Sequence, residues 1–482
     1  MKLSEIIENY DCEVLGDKNT EITGVTDKTE NVTIGGMFVA IKGMRYDGNS
    51  FVPDAIKLGA SVVVVEKPLP LANAVQVVVP NTRKAVAQFA AAFYGNPAKD
   101  MKMIGVTGTN GKTTTTHIIK HILNSNGIKC GLIGTSGCFW DNKRIDYGLT
   151  TPDPIDLQKT LHIMKQDGVK AVAMEVSAHA LDLYKTEPIK FDVAIFTNIT
   201  RDHFDYFKTM DNYKKAKQKL FCPNKCKTAV ICADDEFGKE LLSAIKTEAQ
   251  GYGTSKTDNT IIRNRLANNG QEFLVQNGSS FEQFFVPIFG EYNAKNALAA
   301  VVACKEMGLS SQKIKDSLAT LPHVAGRFET YSSKNGGLII VDYAHSPDGL
   351  QNLLSAARKI ADERGGRLIS LFGCGGNRDK GKRPQMGKIS ENLADFTILT
   401  SDNPRYEKPK EIIDEISGGM SDFSHISIED RSNAIALGIK LLGQNDVLVV
   451  AGKGAENYLD VGGVKVPYSD DNAVKEAILN IE

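Results

Sequence analysis

Residues 105–127 read GVTGTNGKTTTTHIIKHILNSNG and follow MKMI at 101–104, so an apolar strand runs into a glycine-rich turn and then into a helix. Lys112 and Thr113 open that helix. Ile118, Ile119, Ile122 and Leu123 form its apolar face at three- and four-residue spacing, and Gly127 stops it. Backbone N–H groups in such a turn, together with the helix N-terminus, cradle phosphates, while a lysine neutralises them and a threonine hydroxyl can reach Mg²⁺. The strict phosphate-loop spacing asks for glycine at 106, where this chain has Val106 between Gly105 and Gly108. The strand–turn–helix context carries the assignment. Gly108, Thr109, Asn110, Gly111, Lys112, Thr113 and Thr114 are therefore the candidate nucleotide-binding residues.

Outward from this turn, apolar runs alternate with helical periods, the pattern of α/β units with parallel sheets. The strands KAVAMEVS (170–177) and FDVAIFTNI (191–199) would bring Glu175, Ser177, Asp202 and His203 to the nucleotide edge of the same sheet. A carboxylate and an imidazole there suit Mg²⁺ on the phosphates, although each is also an ordinary polar strand end. Upstream, MFVAIKG (37–43), ASVVVVEKP (60–68) and the helical TRKAVAQFAAAFYGNPAKD (82–100) make a separate unit, and Gly95-Asn96-Pro97 punctuates a boundary near residue 98. Downstream, the helical GEYNAKNALAAVVACKEMG (290–308) precedes a second boundary near 326.

Beyond it lie four strand-then-loop units: GLIIVDYAHSPD (337–348), RLISLFGCGGNRDKG (367–381), DFTILTSDNPR (395–405) and DVLVVAGKGAE (446–456). Each places its polar residues just after the strand, where open parallel sheets collect ligands. The expected organisation is an N-terminal α/β domain (1–98), a central parallel-sheet domain around the phosphate loop (99–326) and a C-terminal Rossmann-like domain (327–482). A chain of 482 residues suits three domains at about 100–200 residues each.

Charge is balanced, with 57 basic against 58 acidic side chains, so no overall field gathers nucleic acid or anionic membrane. The eight cysteines lack paired CxxC spacing and are read as free thiols in a reducing cytoplasm. Glu5 and Glu8 interrupt the N-terminus where a signal peptide needs an apolar core, and no run approaches the ~20 apolar residues that span a bilayer. His117 and His121 have the i, i+4 spacing that can bind metal, but without a third ligand they are read as ordinary helix residues. Lys214, Lys215, Lys217 and Lys219 read, on composition, as a solvated cationic helix face.

GTNGKTT (108–114), TTPD (150–153), MEVSAHAL (174–181), NITRDHFDY (198–206), YKKAKQKLF (213–221), GEYNAKNALAA (290–300), GRFE (326–329), DYAHSPD (342–348), GCGGNRDKGKRP (373–384) and DNPR (402–405) occur in the order of the Mur ligase family. The resemblance spans almost the whole chain and is closest to members that extend UDP-N-acetylmuramoyl-L-alanyl-D-glutamate. It implies a uridine-nucleotide domain, a central ATPase and a C-terminal domain for the incoming amino acid. It implies ATP and Mg²⁺ as cofactors and an acyl-phosphate intermediate, and a monomer is the expectation. It also changes the reading of Lys217, whose family counterpart is carbamylated and so binds metal instead of repelling it. The implied metal set is Thr113, Glu175, His203 and carbamylated Lys217, and with Lys112 these residues carry the catalytic charge neutralisation. Asn293, Arg327 and Asp342 match positions near the nucleotide. Thr150, Thr151, Ser177 and Lys185 match positions for the muramoyl dipeptide.

Several positions depart from the family pattern. Lys28, Thr29 and Glu30 stand where Asp-Ser-Arg is usual, so only the Thr29 hydroxyl keeps its place in the uridine motif. Lys185 stands for an arginine, and Ala455 for the histidine common in diaminopimelate-adding members. For the acceptor, Arg378 and Arg405 are suitable cations for a distal carboxylate, and Asp402, Glu456 and the Gly452 carbonyl are suitable partners for amines. Asn403 and Pro404 supply the turn. The full DNPR favours meso-diaminopimelate, with L-lysine as the alternative. A folylpolyglutamate-synthase-like ligase or a nucleotide switch accounts for less of the chain.

Overall fold

The computed structural model describes residues 1–43, 46–71, 73–421 and 425–480, with the side chain of Asp205 excepted. The strand Lys102–Thr107 lies in the middle of an eleven-stranded sheet, flanked by Ala171–Glu175 on one side and Phe191–Phe196 on the other, both parallel to it. Cys130–Gly134 and Cys226–Cys232 extend this parallel core. Antiparallel hairpins close both edges: Gly137–Trp140 with Lys143–Ile145 at one, and Asn259–Ala267, Gly270–Asn277 and Ser280–Val286 at the other. The core strands are buried on both faces, which explains their unbroken apolar runs.

The helix Lys112–Ser125 opens where the sequence puts it. Ile118, Ile119, Ile122 and Leu123 are fully buried, a contribution on the order of 1.5–3 kcal/mol each. The helix packs against Glu291–Glu306, whose alanine-rich surface permits close approach. His121 Nε2 bonds Ser317 O at 2.8 Å, and among the described residues no group of three or more His, Cys, Asp or Glu is placed to hold a metal ion.

A five-stranded sheet precedes this unit, ordered Glu13–Leu15, Val75–Val78, Ala60–Val65, Gly36–Val39, Val25–Thr26, with only the first strand antiparallel. A six-stranded sheet follows it, ordered Glu329–Ser332, Leu338–Asp342, Val447–Ala451, Leu368–Phe372, Phe396–Leu399, His425–Ser427. The four strands expected to end in polar loops are consecutive and parallel in that sheet. Their loops therefore emerge along one edge. All eight cysteines are free, and among the described residues no helix is long and apolar enough to cross a membrane.

Candidate active site

Two glycines shape the phosphate cradle. Gly108 passes so close to Thr197 that a Cβ would lie 1.9 Å from its hydroxyl oxygen. Gly111 caps the helix with φ +87°, and a Cβ there would meet Asn296 Oδ1 at 2.4 Å. Lys112 folds back over the turn, its ammonium donating to Gly108 O at 2.9 Å and Thr109 O at 2.8 Å. Burial pulls the Lys112 ammonium below its ordinary pKa, with Glu175 and Asp202 opposing that shift. Asn110 is held by its backbone N–H on Asn198 Oδ1 (2.9 Å).

Glu175 ends its strand with no exposed surface. Its carboxylate accepts from Thr135 N (3.0 Å) and Thr135 Oγ1 (3.1 Å), and Thr135 Oγ1 also lies 3.0 Å from Thr150 Oγ1. One step further, Thr151 Oγ1 donates to Glu175 O at 3.0 Å and lies 3.3 Å from Ser177 Oγ. Lys185 reaches this group, pairing with Asp153 at 2.8 Å. Glu175, Thr150, Thr151, Ser177 and Lys185 thus form one polar surface running away from the cradle. Thr29 opens a short 3₁₀ turn, Thr29–Asn31, in the N-terminal sheet unit. Beside it, burial pushes the Asp27 carboxyl up and Asp153 pushes it further.

Of the four lysines in 214–219, Lys217 alone is buried, at 1% exposure. Lys214 pairs with Glu240 and Lys219 with Asp182, as a solvated face would. The Lys217 ammonium sits 4.4 Å over the Tyr213 ring, and burial together with Lys112 holds its pKa well below the ordinary value. Tyr213 joins three parts of the site: its hydroxyl is 3.2 Å from Thr109 Oγ1, and its ring centroid is 6.1 Å from that of His203. His203 has φ +56° and pairs with Asp202 at 3.3 Å.

From the C-terminal side, Arg327 Nη2 donates to Thr113 Oγ1 at 3.0 Å, and its guanidinium lies 4.5 Å over the Tyr343 ring. Asp342 accepts from the backbone of Phe328 and Ala344, both at 2.8 Å, and burial pushes its carboxyl up. Asn293 donates to Phe289 O at 2.8 Å. Around these groups lies a cavity of about 570 Å³ lined by residues 109–114, Thr150, Glu175, His203, Asn293, Arg327 and Asp342. Asn110 Nδ2 donates to Asp348 Oδ2 across it at 3.0 Å.

The expected acceptor residues gather at the loop edge of the last sheet. Asn403 is nearly enclosed: Nδ2 donates to Glu456 Oε2 (2.9 Å), while Oδ1 accepts from Lys453 Nζ (3.1 Å) and Asp460 N (2.9 Å). It ties its own loop to the 453–460 segment. Gly452 lies against Asp402, whose Oδ2 would be 2.7 Å from a Cβ there. Arg405 has φ +52°, donates Nη1 to Gly376 O at 2.8 Å and has Nε 3.7 Å from Asp460. Pro404 O packs on Gly376, and Arg378 stands exposed on the same loop.

Thr135, Tyr213, Asp348, Lys453 and Asp460 were not singled out from sequence. Tyr213 and Lys217 share the i, i+4 spacing that puts them on one helix face, a signal that could have found the first. The others need the fold.

Three family profiles match in sequence order: the Mur ligase family catalytic domain at 21–94, the Mur ligase middle domain at 106–304, and the Mur ligase glutamate ligase domain at 326–454. A UDP-N-acetylmuramoyl-L-alanyl-D-glutamate--2,6-diaminopimelate ligase of Clostridium acetobutylicum is 41% identical, covering 99% of both chains. This chain belongs to the Mur ligase family. An Aquifex aeolicus Mur ligase with the same description is 42% identical over 95% of this chain and 94% of its own. A solved structure of an enzyme so described superposes on this Mur ligase with a TM-score of 0.73 at 29% identity, covering 99% of this chain and 98% of its own. The fold is the three-domain fold of the family, and the family consists of ligases that form amide bonds at the expense of ATP.

Proposed function

We propose that this chain is the cytoplasmic ligase that adds meso-diaminopimelate to UDP-N-acetylmuramoyl-L-alanyl-D-glutamate for peptidoglycan, with domain boundaries near residues 98 and 326. The observation that carries the reading is the cavity shared by the phosphate cradle, Glu175, Arg327 and Asp342. Relatives at 41–42% identity carrying that description support the choice of substrates.

The γ-carboxylate of the D-glutamyl residue attacks the γ-phosphorus of ATP, and ADP leaves. The acceptor amine then attacks the acyl phosphate through a tetrahedral intermediate, which expels phosphate. No covalent bond to the protein is required, so its residues act by position and charge. The cradle amides and Lys112 hold the β- and γ-phosphates. Asn293, Arg327 and Asp342 border the rest of the nucleotide. Thr29, Thr150, Thr151, Ser177 and Lys185 orient the UDP-muramoyl dipeptide. Arg378 and Arg405 take the distal carboxylate of the acceptor, Glu456 with the Gly452 carbonyl takes its ammonium, and Asp402, Asn403 and Pro404 shape that loop.

The donor set around the cradle fits Mg²⁺, a hard cation that selects oxygen ligands. Thr113, Glu175 and His203 supply a hydroxyl, a carboxylate and an imidazole, and Lys217 supplies a second carboxylate once carbamylated. Burial favours that modification, because a depressed pKa leaves the neutral amine that reacts with CO₂. Bound there, Mg²⁺ neutralises phosphate charge.

The test is phosphate release from purified protein with ATP, Mg²⁺ and UDP-muramoyl dipeptide, offered meso-diaminopimelate or L-lysine. Release with diaminopimelate, and a much lower rate with lysine, is expected. No release with either overturns the ligase reading, while preference for lysine overturns only the acceptor.

A further inference from the structure

We propose that the pair Arg383 and Glu407 is a positioning clamp that sets the spacing between the two acceptor arginines, Arg378 and Arg405. The inference rests on the ligase reading above.

Arg378 and Arg405 sit on different loops, which follow the strands Leu368–Phe372 and Phe396–Leu399. The loops are tied to each other directly: Gly376 N donates to Asn403 O at 2.9 Å, Arg405 Nη1 to Gly376 O at 2.8 Å and Tyr406 N to Asn377 Oδ1 at 3.0 Å. Asn377 and Arg405 both have φ +52°, a conformation that residues other than glycine keep only where their surroundings enforce it.

Arg383 supplies that enforcement. It lies in the first turn of the helix Lys382–Leu393 with no exposed surface. Its Nη2 donates to Gly375 O at 3.2 Å and Glu407 Oε1 at 3.1 Å, while Nη1 donates to Glu407 Oε2 at 2.9 Å and Glu415 Oε2 at 2.7 Å. Glu407 Oε1 also accepts from Asn377 N. One rigid guanidinium therefore grips the first loop just before Arg378 and, through Glu407, the second just after Arg405. Its bonds hold the Glu407 carboxyl down at about 2, so the pair stays charged at neutral pH.

Stability alone does not call for such a pair, since apolar residues often replace buried ion pairs at no cost. A planar fork that takes two carboxylates and a carbonyl at once fixes distances that apolar packing leaves loose. A ligand carboxylate shared by two guanidiniums depends on their separation. Arg383 and Glu407 act through Arg378 and Arg405 and are positioning residues.

The test is phosphate release at varied meso-diaminopimelate and at varied ATP, with thermal unfolding of every variant. Glu407→Gln should raise the diaminopimelate KM at least fivefold and leave the KM for ATP within twofold. In the Arg378→Ala/Arg405→Ala background the same substitution should add less than twofold, because the groups it positions are gone. A full fivefold in that background would make Glu407 merely structural and overturn the inference, as would an unchanged diaminopimelate KM in Glu407→Gln. Should Glu407→Gln fail to fold, Asn377→Gly decides. Glycine accepts φ +52° without strain, so the fold keeps its unfolding temperature, yet the strut to Tyr406 is lost and the diaminopimelate KM should rise at least threefold; an unchanged KM there overturns the inference. Wild-type protein that releases no phosphate would defeat the ligase reading itself, an outcome distinct from a wild-type ligase whose KM ignores the clamp.

Discussion

The phosphate cradle and the proposed acceptor pocket lie in one chain but are held in place by different means. The cradle is seven consecutive residues, 108–114, preset by two glycines whose neighbours leave no room for a side chain. The acceptor pocket is assembled from loops far apart in sequence and is locked by charges that pair with one another: Lys453 with Glu456, and Arg405 near Asp460. Backbone shape defines the first site and electrostatics the second. Substitutions should therefore fail in different ways in the two places.

The largest effect is expected beneath the acceptor pocket. Arg431 and Asp470 form a fully buried pair at 2.7 Å, and Arg431 also donates to Ser401 O at 3.3 Å and Ala451 O at 2.9 Å, bracing two of the loops. Arg431→Met leaves Asp470 buried and uncompensated, which should cost about 3–5 kcal/mol in denaturant unfolding. Adding Asp470→Leu should recover most of that stability. The acceptor KM should stay raised, because the two carbonyl bonds are not restored, and the KM for ATP should not move.

Beside the cradle, Lys217→Ala should lower turnover about 10³-fold, the scale for losing one preorganised charge partner in an active site. Recovery with added short-chain carboxylates would mark the missing group as a carboxylate. Full activity in the variant would exclude a carbamate. Next comes pH. Burial, with Lys120 and Arg327, lowers the His117 pKa from 6.5 to about 4. The unfolded chain binds that proton below pH 6.5 and the folded one refuses it until about pH 4, so stability falls as pH falls through this window, by on the order of 3 kcal/mol. His117→Gln should flatten that part of the stability–pH curve. Arg405→Ala should weaken use of diaminopimelate by about 2 kcal/mol, with the KM for ATP unchanged. An unchanged diaminopimelate KM would leave the distal carboxylate to Arg378.

The same contrast explains what could be read in the sequence. The cradle was legible because strand, turn and helix are contiguous, and the converging loops of the last sheet were legible because each follows its strand directly. Lys217 could not be told from Lys214, Lys215 and Lys219 by composition, since only packing against Tyr213 separates a buried lysine from a solvated one. The family resemblance supplied that distinction before burial did. Lys453 and Asp460 were missed for a similar reason. Their partners Asn403 and Arg405 are more than 45 residues away, and nothing local marks a lysine as enclosed. Asn403 was read as a turn residue, and its two-sided bonding inside the pocket is a property of the fold.

The smallest effect tests whether the two sites are independent at all. Asn110 belongs to the cradle, yet its Nδ2 donates to Asp348 Oδ2 at 3.0 Å, and Asp348 lies in the first turn of Pro347–Arg364 on the acceptor side. Backbone bonds to Asn198 keep the Asn110 main chain in place without its side chain. Asn110→Ala should therefore remove one inter-domain hydrogen bond and little else, about 1 kcal/mol or roughly a fivefold change. If that bond couples the sites, the KM values for ATP and for the acceptor should rise together, and Asp348→Ala combined with Asn110→Ala should be less than additive. A rise confined to ATP, with additive effects in the double variant, would mean that this bond does not couple the two sites. The coupling would then fall to Arg327, which reaches Thr113 from the same side.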